Sequence, residues 1–455
     1  MSNRRVAITG VGTINALGTN TKEFWQNCLA GKSPVAPIPE AWHRYAKFNS
    51  IYWSPLPDFD YKAFDITGNE IRQSDPTTLL TVIAAREALS NSSIESEIID
   101  GKLNTQILKG IDPYRGGVFI GTGQGGLNSA FVNNSFQVLS QAKKELTALR
   151  NELDEEQKGS LEDVLDSMRH PLRANYFTVG MSMPNSTAAN IGIKYSLKGA
   201  NETIAAACAS GTIAIGKAFR AIRNGDLDFA LTGGTEYLYD EYGAIFRAFD
   251  VPKALITSTA EPHTVNRPFD RDRSGFLFSE GGSGMMILED LDHAQKRGAP
   301  ILAEITGYSE SFDAYNIMIP EPEGREIRRL VTDLLADADL QPGRIDYINA
   351  HGTGTQKNDP IEADAFSGIF GKGPVINSTK SLLGHTIGAS GAIEAIVSVL
   401  SINNSTVHLS CNLENPIADL NFATETRELN IDTALSLSYA FGGHNGGLLL
   451  SKINR

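Results

Sequence analysis

The chain has 455 residues, too many for one simple core, so two domains or one large duplicated unit is expected. Hydrophobic residues at 41% and charged residues at 20% make an ordinary globular composition. The net charge of −13 argues against nonspecific nucleic-acid binding, which needs a basic footprint, but leaves room for a local basic patch.

The N-terminal apolar run at residues 6–10 is too short for a signal segment and flows into a strand-and-turn pattern. No stretch reaches the roughly 18 apolar residues of a membrane span. Residues 5–12 predict a buried strand ending in glycines. The string GVGTINALG that follows has the wrong spacing for a dinucleotide loop and is read as a structural turn. Residues 117–121 predict a second strand and glycine turn.

Residues 141–169 stand apart, being polar and charge-rich. Leu146, Leu149 and Leu153 recur at helical spacing, and Leu161, Val164, Leu165 and Met168 do so again after a break at Lys158-Gly159. This predicts a helical hairpin of modest amphipathicity, either a surface excursion or a lid or partner contact.

Further along, a third strand is expected to end over residues 205–208, followed by a helix over 209–224. A buried strand is expected at 229–234, with short strands at 345–350, 374–378 and 435–439. Helices are predicted between them, including 325–338 and 389–403. Strands alternating with helices imply an α/β fold with buried sheets.

Four motifs carry chemistry. The first is Ala205-Ala206-Ala207-Cys208-Ala209-Ser210-Gly211-Thr212, between a strand and a helix. A cysteine there meets the positive end of the helix dipole, which favours thiolate, although a free cysteine is often only a small buried hydrophobe. The second is Asn349-Ala350-His351-Gly352-Thr353-Gly354-Thr355, which presents a histidine from a Gly/Thr-rich loop after a strand. The third runs from Ser378 through Lys380 and His385 to Gly391, with Glu394 on the next helix. The fourth, Ala440-Phe441-Gly442-Gly443-His444-Asn445-Gly446-Gly447, has glycines that let backbone N–H groups approach a substrate oxygen. The three cysteines, Cys28, Cys208 and Cys411, are too widely spaced for a metal site or a disulfide framework, and a reducing cytoplasm suits them.

In this order the motifs resemble those of the β-ketoacyl synthase family, particularly discrete elongating synthases of the type II fatty-acid kind. The resemblance extends from the Val6 strand to Lys452. GTGQGG at 121–126, LTGGTE at 231–236 and RPFDRDRSGF at 267–276 share in it. It implies a thiolase-like fold, five αβαβα layers in two similar halves of about 1–298 and 299–455, with the active site where they meet. Cys208 matches the acylated nucleophile. His351 and His385 match the histidines that promote malonyl decarboxylation, Lys380 the supporting lysine and Glu394 its acidic partner. Thr353, Thr355 and Asp359 match active-site loop residues. Phe441 matches a gating residue whose N–H, with that of Cys208, forms the oxyanion hole.

Further expectations follow from the resemblance. The partner would be an acyl carrier protein, bound through Arg247 and more weakly Arg72. The assembly would be a homodimer, or a heterodimer with a chain-length-factor-like subunit, and no metal or organic cofactor is expected. The family usually has threonine at the position of His444, aspartate at Ser274 and phenylalanine or a similar residue at Tyr439. A thiolase would need a second cysteine in a glycine-rich loop, which Cys411 does not supply, and His385 as the third group favours elongation over initiation. The non-catalytic alternative, a silent chain-length-factor-like subunit, typically lacks the cysteine. Fatty-acid synthesis and a specialised polyene or polyketide route both agree with these residues.

Overall fold

The computed structural model describes residues 4–101, 104–167 and 175–453. Five strands come from the first part of the described chain: β1 (Val6–Asn15), β2 (Gly116–Gly121), β3 (Asn201–Ile204), β4 (Phe229–Tyr237) and β5 (Gly281–Asp290). Five more follow: β6 (Ala303–Phe312), β7 (Tyr347–Asn349), β8 (Val375–Asn377), β9 (Thr433–Tyr439) and β10 (His444–Ser451).

Their spatial order is β8-β7-β9-β10-β6-β1-β5-β4-β2-β3. Read outward from the centre, β1-β5-β4-β2-β3 repeats in β6-β10-β9-β7-β8. The directions repeat as well. β2 runs parallel to β3 and β4, as β7 does to β8 and β9. The pairs β4/β5, β5/β1, β9/β10 and β10/β6 are antiparallel. An antiparallel β1/β6 pairing joins the two sets. β1 is buried along its whole length, because a strand covered on both faces has no polar side to show.

Seven helices position the rest: α1 (Pro76–Asn91), α2 (Leu127–Leu149), α3 (Glu155–Ser167), α4 (Ser210–Arg223), α5 (Arg325–Asp337), α6 (Asn358–Phe370) and α7 (Ser390–Asn404). The α4 and α7 helices pack on each other, and each also touches strands of both sets, so they form the middle layer. The outer layers include α1, over β1, β5 and β4, and α5, over β6 and β10. This is the thiolase-like, five-layer α/β arrangement that the sequence resemblance implies.

Burial explains the helix patterns. The α5 helix buries Ile327, Leu330, Val331, Leu334 and Leu335, the i, i+3, i+4, i+7, i+8 stripe of a one-faced helix. The α7 helix is buried nearly all round and is correspondingly apolar. Among the described residues, Ile387–Asn404 has the length and hydropathy to cross a membrane, but 83% of it is buried inside the protein, where the middle layer needs apolar surface on both sides.

Two expectations need correction. The third strand stops at Ile204, and Cys208 lies in a 3₁₀ turn, Ala207–Ala209, because Ala207 takes a φ of 45° and ends the extended chain. The helical hairpin is present, but its first helix already begins at Leu127, and the chain reverses around residues 150–154. Lys158 and Gly159 lie inside α3. Asp154 caps that helix by accepting the Gln157 N–H at 2.9 Å, and Glu155 and Glu156 suit its positive end. One interior glycine costs only about 1 kcal/mol, too little to end a helix so capped. Of the leucines in the apolar stripe, Leu161 is buried while Leu149 is exposed. Met168 and Arg169 lie outside the described residues.

Candidate active site

The nucleophile candidate is presented by a strained turn. Ala207 (φ 45°) throws Cys208 to the start of α4, and the Ser210 hydroxyl accepts the Ala206 N–H at 2.8 Å. The same device recurs 180 residues later. Ile387 has φ 49°, and the Ser390 hydroxyl accepts the Thr386 N–H at 3.1 Å at the start of α7. A β-branched residue with positive φ is a true outlier that the surroundings must hold in place. The sequences match, Ala207-Cys208-Ala209-Ser210-Gly211 against Ile387-Gly388-Ala389-Ser390-Gly391. The two glycines are required where the layers meet. A Cβ at Gly211 would lie 2.9 Å from the Ala392 nitrogen, and one at Gly391 2.9 Å from the Thr212 nitrogen.

This second turn places His385. Its Nε2 lies 3.0 Å from the Cys208 Sγ, and the Ile387 N–H points at its Nδ1 at 3.2 Å. A nitrogen that accepts from a backbone N–H carries no proton, so the neutral ring is protonated on Nε2 and donates toward the sulfur. His351 is set the same way. The Lys380 ammonium, which has only donors, lies 3.2 Å from His351 Nδ1 and 2.8 Å from the His351 carbonyl oxygen. The two rings are 5.5 Å apart and nearly perpendicular, at 84°. Burial, reinforced by the Lys380 charge, holds both imidazoles well below the usual histidine range, so both are neutral donors near pH 7.

Lys380 and Glu394 form an ion pair with both side chains 2% exposed. Burial pushes the Glu394 carboxyl up to about 7, against the pull of Lys380. Burial also pushes the Cys208 thiol up to about 11, while the Lys380 charge and the backbone N–H groups of Phe441 and Cys208 act in the opposite sense.

Cys208, His351, His385, Thr353, Thr355 and Phe441 line one cavity of about 480 Å³. Lys380 and Glu394 stand behind His351, and Asp359 stands behind its loop. Asp359 accepts the Thr353 N–H at 3.1 Å and the Phe269 N–H at 2.8 Å. The Thr353 and Thr355 hydroxyls bond each other at 3.0 Å. Arg247, on the short helix Ala244–Asp250, and Arg72, on Gly68–Gln73, are exposed on the surface, outside the cavity lining. Ser274 and Tyr439 line the cavity, and the Tyr439 ring is 5.7 Å from His351. His444 is exposed, with its ring 5.1 Å from Phe312.

Three supporting residues were not singled out from the sequence. Glu362 accepts the His351 and Gly352 N–H groups, each at 2.8 Å, and burial pushes it up to about 8. Glu236 ties the second turn to the 121–126 loop, accepting N–H groups from Gly123 at 2.6 Å and Gly388 at 3.1 Å. Ser390 lies 2.9 Å from His385 Nδ1. The repeated Ala-Ser-Gly was the available signal for Ser390. Glu362, an acidic residue inside an ordinary helix, offered none.

Comparison with known proteins gives the family. Residues 3–294 match the β-ketoacyl synthase N-terminal domain and residues 302–414 its C-terminal domain. The chain is 36% identical to a 3-oxoacyl-[acyl-carrier-protein] synthase 2 of Coxiella burnetii, over 100% of both chains. A β-ketoacyl synthase crystal structure from Burkholderia phymatum superposes with a TM-score of 0.82 at 29% identity, covering 99% of this chain and 100% of that one. The ishigamide ketosynthase/chain length factor does so with a TM-score of 0.82 at 26% identity, covering 100% of both. With a cysteine at a helix start, His385 against it, His351 in the same cavity and both domain profiles matched in order, the chain belongs to the β-ketoacyl synthase family.

Proposed function

We propose that this chain is an elongating β-ketoacyl-acyl-carrier-protein synthase. The observation that carries the reading is the 3.0 Å approach of the His385 Nε2–H to the Cys208 sulfur, with the His351 ring alongside. In the first half-reaction the Cys208 sulfur attacks an acyl-carrier thioester. A new S–C bond forms, the carrier S–C bond breaks, and the departing carrier thiolate takes the proton. Phe441 and Cys208 N–H groups stabilise the oxyanion.

A malonyl-carrier thioester then loses CO₂, and the electron pair of the broken C–C bond becomes an enolate. His351 and His385 donate to its oxygen in a buried pocket. The enolate carbon attacks the acyl-Cys208 carbonyl, expelling the Cys208 thiolate, which takes up one proton, and releasing the β-keto thioester. Lys380 holds His351, with Glu394 as its counter-charge. Thr353, Thr355 and Asp359 shape the loop, and the Phe441 side chain gates the cavity. A silent chain-length-factor-like role is disfavoured by an intact Cys208 with both histidines beside it.

The partner is an acyl carrier protein, in fatty-acid or specialised polyene/polyketide synthesis in the cytoplasm. The cavity mouth supports this, because exposed Lys253 and Lys357 line it. Arg247, and more weakly Arg72, supply carrier contacts, so docking should weaken with salt. The chain reads as two halves, 1–298 and 299–455. It pairs with a second ketosynthase-type chain, by default its own copy. The outer edge of β3 supports this, being unpaired among the described residues and lying at the rim of the sheet near Ile193, which is 62% exposed.

The test is incubation with acyl- and malonyl-carrier proteins. One CO₂ and one β-ketoacyl product should appear per acyl group consumed, and Arg247→Glu should raise the apparent KM for the carrier. Failure to label Cys208 with any acyl carrier would overturn the synthase reading, and an unchanged KM would remove Arg247 from the docking site.

A further inference from the structure

The cavity explains how a carrier arm reaches Cys208, but not where the acyl chain goes once it is on the sulfur. Cys208 belongs to a buried apolar cluster with Trp42, Trp53, Leu238, Phe246 and Phe278. Among the described residues none of those five lines the cavity. The cluster is built of rings in contact. Phe246 lies 5.1 Å from Phe278 and 5.5 Å from Trp42, and Trp42 lies 5.3 Å from Trp53. Such tilted and edge-on stacks fix ring positions.

Trp42 is fixed most firmly. It is 1% exposed, and its indole N–H donates to the Asp240 carbonyl at 3.1 Å. Its ring lies against Gly243, where a Cβ would come within 2.6 Å. Gly243 has φ 72° and starts the helix Ala244–Asp250, so neither partner has room to move.

The helical hairpin holds this cluster from outside. The Arg44 guanidinium, two residues past Trp42, donates to the Asp163 carbonyl in α3 at 2.9 Å. At the other arm, the Asn128 amide at the start of α2 donates to the Tyr239 carbonyl at 2.6 Å. The Tyr239 ring is 6.0 Å from Trp42. One arm bonds the segment that carries Trp42, and the other bonds the backbone of Tyr239, whose ring is tilted beside it.

We propose that Trp42 is a specificity-determining residue that ends the acyl-binding region, and that the 127–167 hairpin keeps it in place, so that the enzyme selects short acyl chains. The proposal rests on the synthase reading above. An acyl chain bound to Cys208 seeks apolar surface, and the cluster offers it until the Trp42 ring stops the path. In a close-packed apolar site each methylene that fails to fit is worth roughly tenfold or more in discrimination.

The experiment compares kcat/KM for C6 and C12 acyl-carrier proteins in the full-length wild type, Trp42→Leu and Arg44→Ala, with acyl labelling of Cys208 followed by mass. The wild type should favour C6 by at least about tenfold. Trp42→Leu should raise the C12/C6 ratio at least about tenfold, and Arg44→Ala should move it the same way by less, with Cys208 still labelled by C6. Equal use of C6 and C12 by the wild type overturns the proposal. So does an unchanged ratio in Trp42→Leu, or, should that variant not fold, in Arg44→Ala. If no chain length labels Cys208 in the wild type, it is the synthase reading that falls.

Discussion

The two helices that meet in the middle layer begin with the same turn and use it for different ends. Ala207 and Ile387 share a positive φ, and Ser210 and Ser390 each hold a backbone N–H in place. The following position is Cys208 in one half and Gly388 in the other. The first turn presents a buried sulfur to the cavity at a helix start. The second buries its glycine against Gly123 and Glu236, where a side chain would collide, and turns the Ile387 N–H onto His385. The same strained turn occurs twice, and the residue at a single position decides whether it carries the candidate nucleophile or orients the histidine beside it.

The largest effect should come from erasing that difference. Cys208→Gly makes the first turn resemble the second. It should abolish acyl labelling and condensation while leaving the fold intact, since glycine already occupies the equivalent place. Residual labelling at the wild-type level, read by intact-protein mass spectrometry, would place the nucleophile elsewhere.

Next comes the histidine that the second turn orients, and its neighbour. His385→Ala or His351→Ala should slow malonyl decarboxylation by roughly 10²–10³-fold, with a smaller loss in acyl transfer. Carbon dioxide release and Cys208 labelling separate the two steps, and equal losses would make these histidines merely structural.

A third prediction concerns the thiol itself. Burial pushes it up to about 11, so the protein carries mostly thiol at neutral pH and the thiolate fraction rises with pH. Alkylation of Cys208 by iodoacetamide should accelerate by about tenfold per unit between pH 7 and 9. A plateau below pH 8 would show that the helix start, Lys380 and the two N–H groups outweigh burial.

The smallest effect sharpens the comparison of the turns. Ser210→Ala and Ser390→Ala each strand one buried N–H and should cost about 1–3 kcal/mol in denaturant unfolding. Ser390→Ala alone should also alter the pH profile of decarboxylation, because only Ser390 touches His385. Identical profiles for the two variants would mean that the two turns are interchangeable supports.

Local pattern carried much of this molecule. Cys208, His351, His385 and Phe441 stand in short runs of small residues that mark them as candidates, and the four runs in order carry the resemblance that implies their roles. The strands and helices around them follow from burial on one face or two. The stripe on α5 and the apolar surface of α7 reveal their layers because amphipathicity is a property of consecutive residues. The order of the four motifs was enough to imply the thiolase-like fold.

What tertiary structure alone decided are relations between distant residues. The protonated nitrogen of each imidazole depends on Lys380 and the Ile387 N–H meeting the opposite one. Glu362 and Glu236 became anchors only when loops folded onto them. The hairpin turned at residues 150–154 because Asp154 caps α3, a local contest that the apolar spacing did not register. Trp42 and Cys208 share a cluster although 166 positions separate them. Sequence determines which residues are able to react and which segments are able to pack. Which groups come within 3 Å depends on long-range packing, where burial removes water and each N–H must find its partner inside the protein.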